Sequence, residues 1–287
     1  MELKATRMEK ADGVGTIWLN RPHRQNAWTG RMHTEYRWCL NQLDGDADVG
    51  VIVITGTGRG FCVGGDAEAL SQHAERGAYD PGTAPDLATP GYGVAEEFDA
   101  PFACHFGLAK PIIAAINGPA AGVGLALACF TDLRFAVPGA KLTTAHGKLN
   151  LPAEYGLSWI LPRLAGLARA NDLLLTSRVF TTDEAAELGI INELVAADGL
   201  ITRTHEYARN LIETVSPNAL RQTRWQIYRD LTASPADSVL RSEALANDMM
   251  AEPDYAEGVA AFREKRKPRW APRPTTKAIR RLDSESP

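Results

Sequence analysis

The sequence predicts an α/β fold that gives way to an all-α C-terminal third, and three observations carry that reading. Strand-like apolar runs near 14–20, 51–55, 111–116 and 132–137 alternate with helix-like segments near 30–43, 96–108 and 121–130. Such alternation points to β-α-β units and a largely parallel sheet. Beyond about residue 197 the pattern is helical almost throughout, with Pro217, Pro235 and Pro253 where helices start or break. Two glycine-rich turns, RGFCVGGD (59–66) and NGPAAGVGLALA (117–128), each follow a strand-like run and each lead into a helix-like one.

Taken in order, the N-terminal MELKATRMEK has no apolar segment of the kind a secretory signal needs. Val51–Thr55 (VIVIT) is a β-like run that delivers the chain to the first turn. Gly77 to Gly93 holds three prolines and four glycines, which disfavour regular structure. Pro111–Ile116 (PIIAAI) is the run before the second turn, and the apolar stretch 111–130 reads as buried strand plus helix, because Pro119 and its glycines argue against a membrane span. No internal repeat is visible at the level of residue identity.

Composition sets the outer bounds. A chain of 287 residues with 45% hydrophobic content buries a sizeable core as one large domain or a domain plus appendage. A net charge of −4 makes no overall case for nucleic acid or an anionic membrane surface. Cys39, Cys62, Cys104 and Cys129 are widely spaced, without a C-x-x-C pair, so neither a disulfide framework nor a zinc site is expected and a reducing cytoplasm is.

Chemistry enters through the two turns. Each sits at a strand end, where backbone N–H groups are free to point outward. Two such donors aimed at one point hold an oxyanion, for example the enolate oxygen of an acyl thioester. A device made of backbone explains why glycines mark it rather than charged side chains.

At these residues the sequence resembles the crotonase superfamily, the enoyl-CoA hydratase/isomerase family. The likeness rests on Asn20-Arg21-Pro22 with Asn26-Ala27, on the two turns, on SWILPRLAG (158–166), on FTTDEAAELGIINELV (180–195) and on EGVAAFREKRKPRW (257–270), in that order. It implies a crotonase-like ββα spiral core over residues 1–196, a C-terminal α-helical trimerisation region over 197–270, and a flexible tail over 271–287. It further implies an acyl-CoA substrate, a homotrimer or homohexamer in the cytoplasm, and no metal or separate cofactor, coenzyme A being part of the substrate. The oxyanion donors become the amides of Gly65 and Val123, and Val in place of the more usual Gly leaves the peptide N–H intact. For coenzyme A the resemblance points to Arg24 after N-R-P, and to Phe262 and Lys265, with Lys267, reaching from a neighbouring subunit; positive charge suits a phosphate. Gly77–Gly93 reads either as a surface loop or as a flap over the acyl pocket.

The acid–base groups depart from the family pattern. Well-understood enoyl-CoA hydratases use two glutamates, and their positions are filled here by Ala126 and His146. One carboxylate, Glu154 in LPAEYGLSW, matches a third position that is acidic in some relatives, including dienoyl-CoA isomerases. A single base suits proton shuttling, because one group removes a proton and returns it elsewhere. Burial beside Trp159 or Leu157 would raise the Glu154 pKa, and His146 would partner it or act as the base itself. The plainer alternatives are that Glu154 caps the helix beginning near Gly156 and that His146 is a polar loop residue. The leading expectation is therefore an enoyl-CoA hydratase or isomerase. Behind it stand a non-catalytic acyl-CoA-binding homologue and a crotonase-type hydrolase or C–C lyase. A nicotinamide-dependent dehydrogenase ranks last, because Gly56, Gly58 and Gly60 lack the G-x-G-x-x-G spacing.

Overall fold

β1 (Thr6–Ala11) and β2 (Val14–Leu19) open the computed structural model as an antiparallel hairpin, with Thr6 opposite Leu19 and Ala11 opposite Val14. The structure describes residues 1–76 and 94–274, so the loop 77–93 and most of the expected tail lie outside the described residues. β1 is an edge strand with only Thr6 buried, and its polar sequence TRMEKA carries no apolar run by which it could have been anticipated.

From β2 the chain crosses through α1 (Gly30–Asp44) to β3 (Val51–Gly56). The Thr29 hydroxyl caps α1 by accepting the Met32 N–H at 3.2 Å. α2 (Ala67–Arg76) follows the first glycine-rich turn. Next come α3 (Cys104–Gly107), β4 (Ile112–Ile116), β5 (Ala120–Ala121), α4 (Val123–Cys129), β6 (Leu133–Ala136) and β7 (Lys141–Thr143). α5 (Leu157–Ala165), α6 (Leu167–Thr176), β8 (Val179–Thr181), α7 (Thr182–Glu187) and β9 (Glu193–Leu194) complete the α/β part. α8 (Leu200–Thr214), α9 (Pro217–Asp230), α10 (Pro235–Met250) and α11 (Pro253–Glu264) form the helical third, and the three prolines stand at helix starts, where a missing N–H costs nothing.

The main sheet runs β1-β2-β3-β4-β6-β9, parallel from β2 onward, and a smaller sheet runs β5-β7-β8. β3 is buried on both faces, as a parallel strand covered on either side must be. Ile52 and Ile54 join the core that contains Met32, Tyr36 and Leu43 of α1, whereas Val51 and Val53 join a second cluster with Leu200 and Ala208 of α8. The segment 96–108, expected as one helix, is instead a 3-10 turn over Glu96–Phe98 followed by the four-residue α3. Pro101 and the positive φ of 62° at Phe102 interrupt it.

One polar junction ties the helical third to the sheet. Arg224 on α9 is buried; its guanidinium donates to Asp132 Oδ1 at 2.9 Å, to Leu108 O at 2.8 Å and to His105 O at 2.9 Å. Tyr228 on the same helix donates to Asp132 Oδ1 at 2.7 Å and stacks its ring on Phe106 at 3.6 Å. Truncating Arg224 takes the ion-pair partner from Asp132, whose carboxylate keeps only the neutral Tyr228 and Ile112 donors, and strips one donor each from Leu108 O and His105 O. Arg224→Ala is therefore expected to cost about 3–5 kcal/mol, read as a lower urea midpoint. A loss under about 1 kcal/mol, the scale of an exposed ion pair, would show that this junction does not dock α9.

Candidate active site

The two glycine-rich turns lie side by side. The N–H groups of Phe61 and Cys62 both donate to Pro119 O, at 3.1 and 3.2 Å, and Ala121 N–H returns to Cys62 O at 3.0 Å. Cys62 and Ala120 thereby form a parallel bridge. Two glycines supply backbone conformations that side chains resist: Gly64 at φ 102° in the first turn and Gly122 at φ 48°, ψ −118° in the second.

On its other flank the first turn is bridged to Trp28, whose N–H donates to Gly64 O at 2.7 Å and whose carbonyl accepts the Asp66 N–H at 3.0 Å. In that parallel bridge the Gly65 N–H points away from Trp28. Gly65 and Val123 each lie three residues past the bridged pair Cys62 and Ala120. Val123 is the first residue of α4, where an amide has no intrahelical acceptor. Neither amide donates to an acceptor among the described residues.

Several side chains that sequence reading did not assign brace the first turn. Asn26 is fully buried, and its amide donates to Thr57 O at 3.0 Å and Gly60 O at 2.7 Å. Arg21 donates to Asp66 Oδ2 at 2.8 Å and to Ala27 O at 2.7 Å. Burial alone would raise the Asp66 pKa; the Arg21 bond, the Glu68 N–H and the Arg24 charge together hold it below the usual range, so Asp66 stays an anion. The sequence signal was present, since Asn20-Arg21-Pro22, Asn26-Ala27 and the first turn all stood in the family blocks. Their contact across the fold was not readable from spacing. His33, edge-on to Trp28 with ring centroids 6.0 Å apart, is pushed down to about 4 by burial, with Arg37 adding to the effect.

Glu154 lies on a 3-10 turn (Glu154–Gly156) that packs against α4, the helix whose first residue is Val123. Tyr155 holds φ at 52° and faces Phe102 with ring centroids 5.4 Å apart, which anchors the turn. Glu154 is half-buried, and its carboxylate makes no hydrogen bond among the described residues. The plain alternative of a cap falls away: α5 starts from Gly156 with no side-chain cap bond. Burial raises the Glu154 pKa, and the nearby His146 partly opposes the rise. Trp159 lies parallel to Phe130 and under the Arg163 guanidinium at 4.0 Å. Ala126, at one vacant glutamate position, is fully buried in α4. His146, at the other, is 8% exposed and close enough to act on Glu154.

The coenzyme A candidates separate into two places. Arg24 is exposed at the end of the turn Pro22–Arg24, beside the first glycine-rich turn through its charge on Asp66. Phe262 is 85% exposed near the end of α11, and Lys265 follows with a left-handed φ of 53°. Lys267 pairs with Glu213 at 2.6 Å. None of the α11 bonds among the described residues reaches the two turns. At the start of the expected tail, Arg273 reaches Asp48 O at 3.1 Å against Gly50 and Ile212. All four cysteines are free and buried. No helix among the described residues is long and apolar enough to cross a membrane.

Comparison with known proteins gives the class. The model of the enoyl-CoA hydratase/isomerase family matches residues 9–273, so the chain belongs to that family. It is an acyl-CoA-processing enzyme with the crotonase fold. Among its relatives, 1,2-epoxyphenylacetyl-CoA isomerase of Escherichia coli (strain K12) is 35% identical, over 94% of this chain and 98% of that protein. 4-Chlorobenzoyl coenzyme A dehalogenase-1 of Arthrobacter sp is 30% identical over 90% of each. The crystal structure of an enoyl-CoA hydratase/isomerase from Mycobacterium paratuberculosis superposes with a TM-score of 0.81 at 30% identity, covering 94% of this chain and 99% of that one.

Proposed function

We propose that the enzyme moves a proton within an acyl-CoA thioester, as an enoyl-CoA isomerase does, through an enolate. The Glu154 carboxylate takes a proton from a carbon activated by the thioester. The electron pair passes to the carbonyl oxygen, to which the N–H groups of Gly65 and Val123 donate hydrogen bonds. The protonated Glu154 then returns its proton to a different carbon and the double bond moves. Electrostatic stabilisation of this kind is usually the largest catalytic contribution.

The observation that carries this reading is a half-buried carboxylate without a hydrogen-bond partner among the described residues, on a turn packed against the helix that begins at Val123. With both usual glutamate positions occupied by Ala126 and His146, two carboxylates are not present to position one water, which weighs against syn hydration. The E. coli relative bears the name of an isomerase, in keeping with a shuttle. Arg24 would meet a coenzyme A phosphate in this chain. Phe262 and Lys265 would meet the nucleotide of a neighbouring subunit in a trimer or dimer of trimers, which gives an exposed Phe262 a role.

A panel of CoA thioesters assayed with the wild type, Glu154→Gln and His146→Ala tests the proposal. The vacant glutamate positions also favour a second reading, a binder that has lost catalysis; tight acyl-CoA binding with no turnover of any panel member would establish it. Dependence on pH gives an independent check. A base works only when ionised, and burial raises the Glu154 pKa. The acid limb of kcat/KM should therefore lie above the ordinary carboxylate range, with activity lost as pH falls through it. A limb at or below that range would exclude Glu154 as the base.

A further inference from the structure

His146 sits in a backbone that is held against its own preference. Ala145 before it has φ 61° and ψ −30°, a region costly for any residue with a side chain. Side chains fix the segment from both directions. Ala145 N–H donates to Thr143 Oγ1 at 3.1 Å, Gly147 N–H donates to Ser177 Oγ at 3.0 Å, and Thr144 Oγ1 lies 3.3 Å from the same Ser177 Oγ. Ser177 itself holds a left-handed φ of 45°. This brace positions an imidazole that is more than nine-tenths buried, beside Glu154, and whose Nδ1 is closed off from solvent without a partner among the described residues.

With Nδ1 sealed off, Nε2 is the ring nitrogen left to meet a ligand. We infer that His146 presents one fixed N–H donor to the acyl group, so that the substrate carries an oxygen acceptor there, as a hydroxyl, epoxide or carbonyl, and is not a plain hydrocarbon chain. Ser177 is a positioning residue for that donor. The inference rests on the acyl-CoA reading above and names the substrate class.

Calorimetric dissociation constants decide it, for a set of hydroxybutyryl-CoA isomers with the hydroxyl at each chain carbon in turn, against butyryl-CoA. At least one isomer should bind the wild type about tenfold more tightly than butyryl-CoA, one hydrogen bond's worth. That advantage should vanish in His146→Leu, persist in part in His146→Gln, which keeps an N–H donor, and narrow in Ser177→Ala while free coenzyme A binds as before. The ratio is read on folded protein, so a loss of stability does not mimic it, and the Gln and Ser177 variants carry the test if His146→Leu fails to fold. Equal binding of all thioesters by the wild type, or an advantage that survives His146→Leu, overturns the inference alone. Binding of none overturns the acyl-CoA reading with it.

Discussion

Glu154→Gln should lower kcat by about 10²–10⁴-fold, the range that a positioned acid–base group contributes. The substitution is nearly isosteric and removes only the ionisable oxygen. Glu154 makes no hydrogen bond among the described residues and caps no helix, so its loss should leave the fold and the melting temperature close to those of the wild type. KM should change by no more than a few fold, because the interaction is made in the transition state and not in the ground state. The measurement is steady-state kinetics on the best substrate of the thioester panel, with the pH profile taken alongside. A kcat within a factor of a few of the wild type would remove Glu154 from the mechanism.

The mechanism depends on geometry that the sequence disclosed unevenly. The strands that end at the two turns were legible because each is a short apolar run, and β3 and β4 are buried along their whole length. The helices α8 to α11 were legible from their period and from the prolines at three of their starts. The failures have local causes. β1 is polar because it is an edge strand with one buried residue, so it carries no period. The segment 96–108 has the composition of a helix, yet the conformation of Phe102 breaks it, and no single-residue signal announces a positive φ at phenylalanine.

The candidate site was readable to the extent that it is backbone. Glycines at Gly64 and Gly122 are demanded by dihedral angles, so they leave a mark in the sequence. The groups that hold the turns in place leave a fainter one. Asn26 spans 31 and 34 residues to reach the carbonyls of Thr57 and Gly60, and Arg21 spans 45 to reach Asp66. Ser177 lies 30 residues from the Gly147 amide that it accepts. Such contacts follow from the topology of the sheet, and spacing in one chain does not encode them. The same holds for Phe262 and Lys265, whose proposed partner belongs to another subunit.

Gly124→Ala is expected to damage the site more severely than its size suggests. Gly124 is the second residue of α4 and lies against the first turn: a Cβ there would stand 2.1 Å from Cys62 O and 2.7 Å from Cys62 Cβ. Neither neighbour can yield cheaply. Cys62 is fully buried, its N–H is bonded to Pro119 O, and its carbonyl accepts the Ala121 N–H. The added methyl must drive the two turns apart. Overpacking of this kind costs about 1–3 kcal/mol. The functional cost should be larger, because Gly65 and Val123 lie on opposite sides of the contact. Losing one oxyanion donor lowers kcat by about 10²–10³-fold, and a shift of both amides should reach at least that. Cys62 should become more reactive to a thiol reagent as the packing opens, since burial now pushes its thiol up to about 12. Kinetics and thiol labelling on the folded variant measure both effects. A Gly124→Ala enzyme with wild-type kcat would mean that the spacing of the two turns does not set the rate, and the backbone oxyanion site would have to be abandoned.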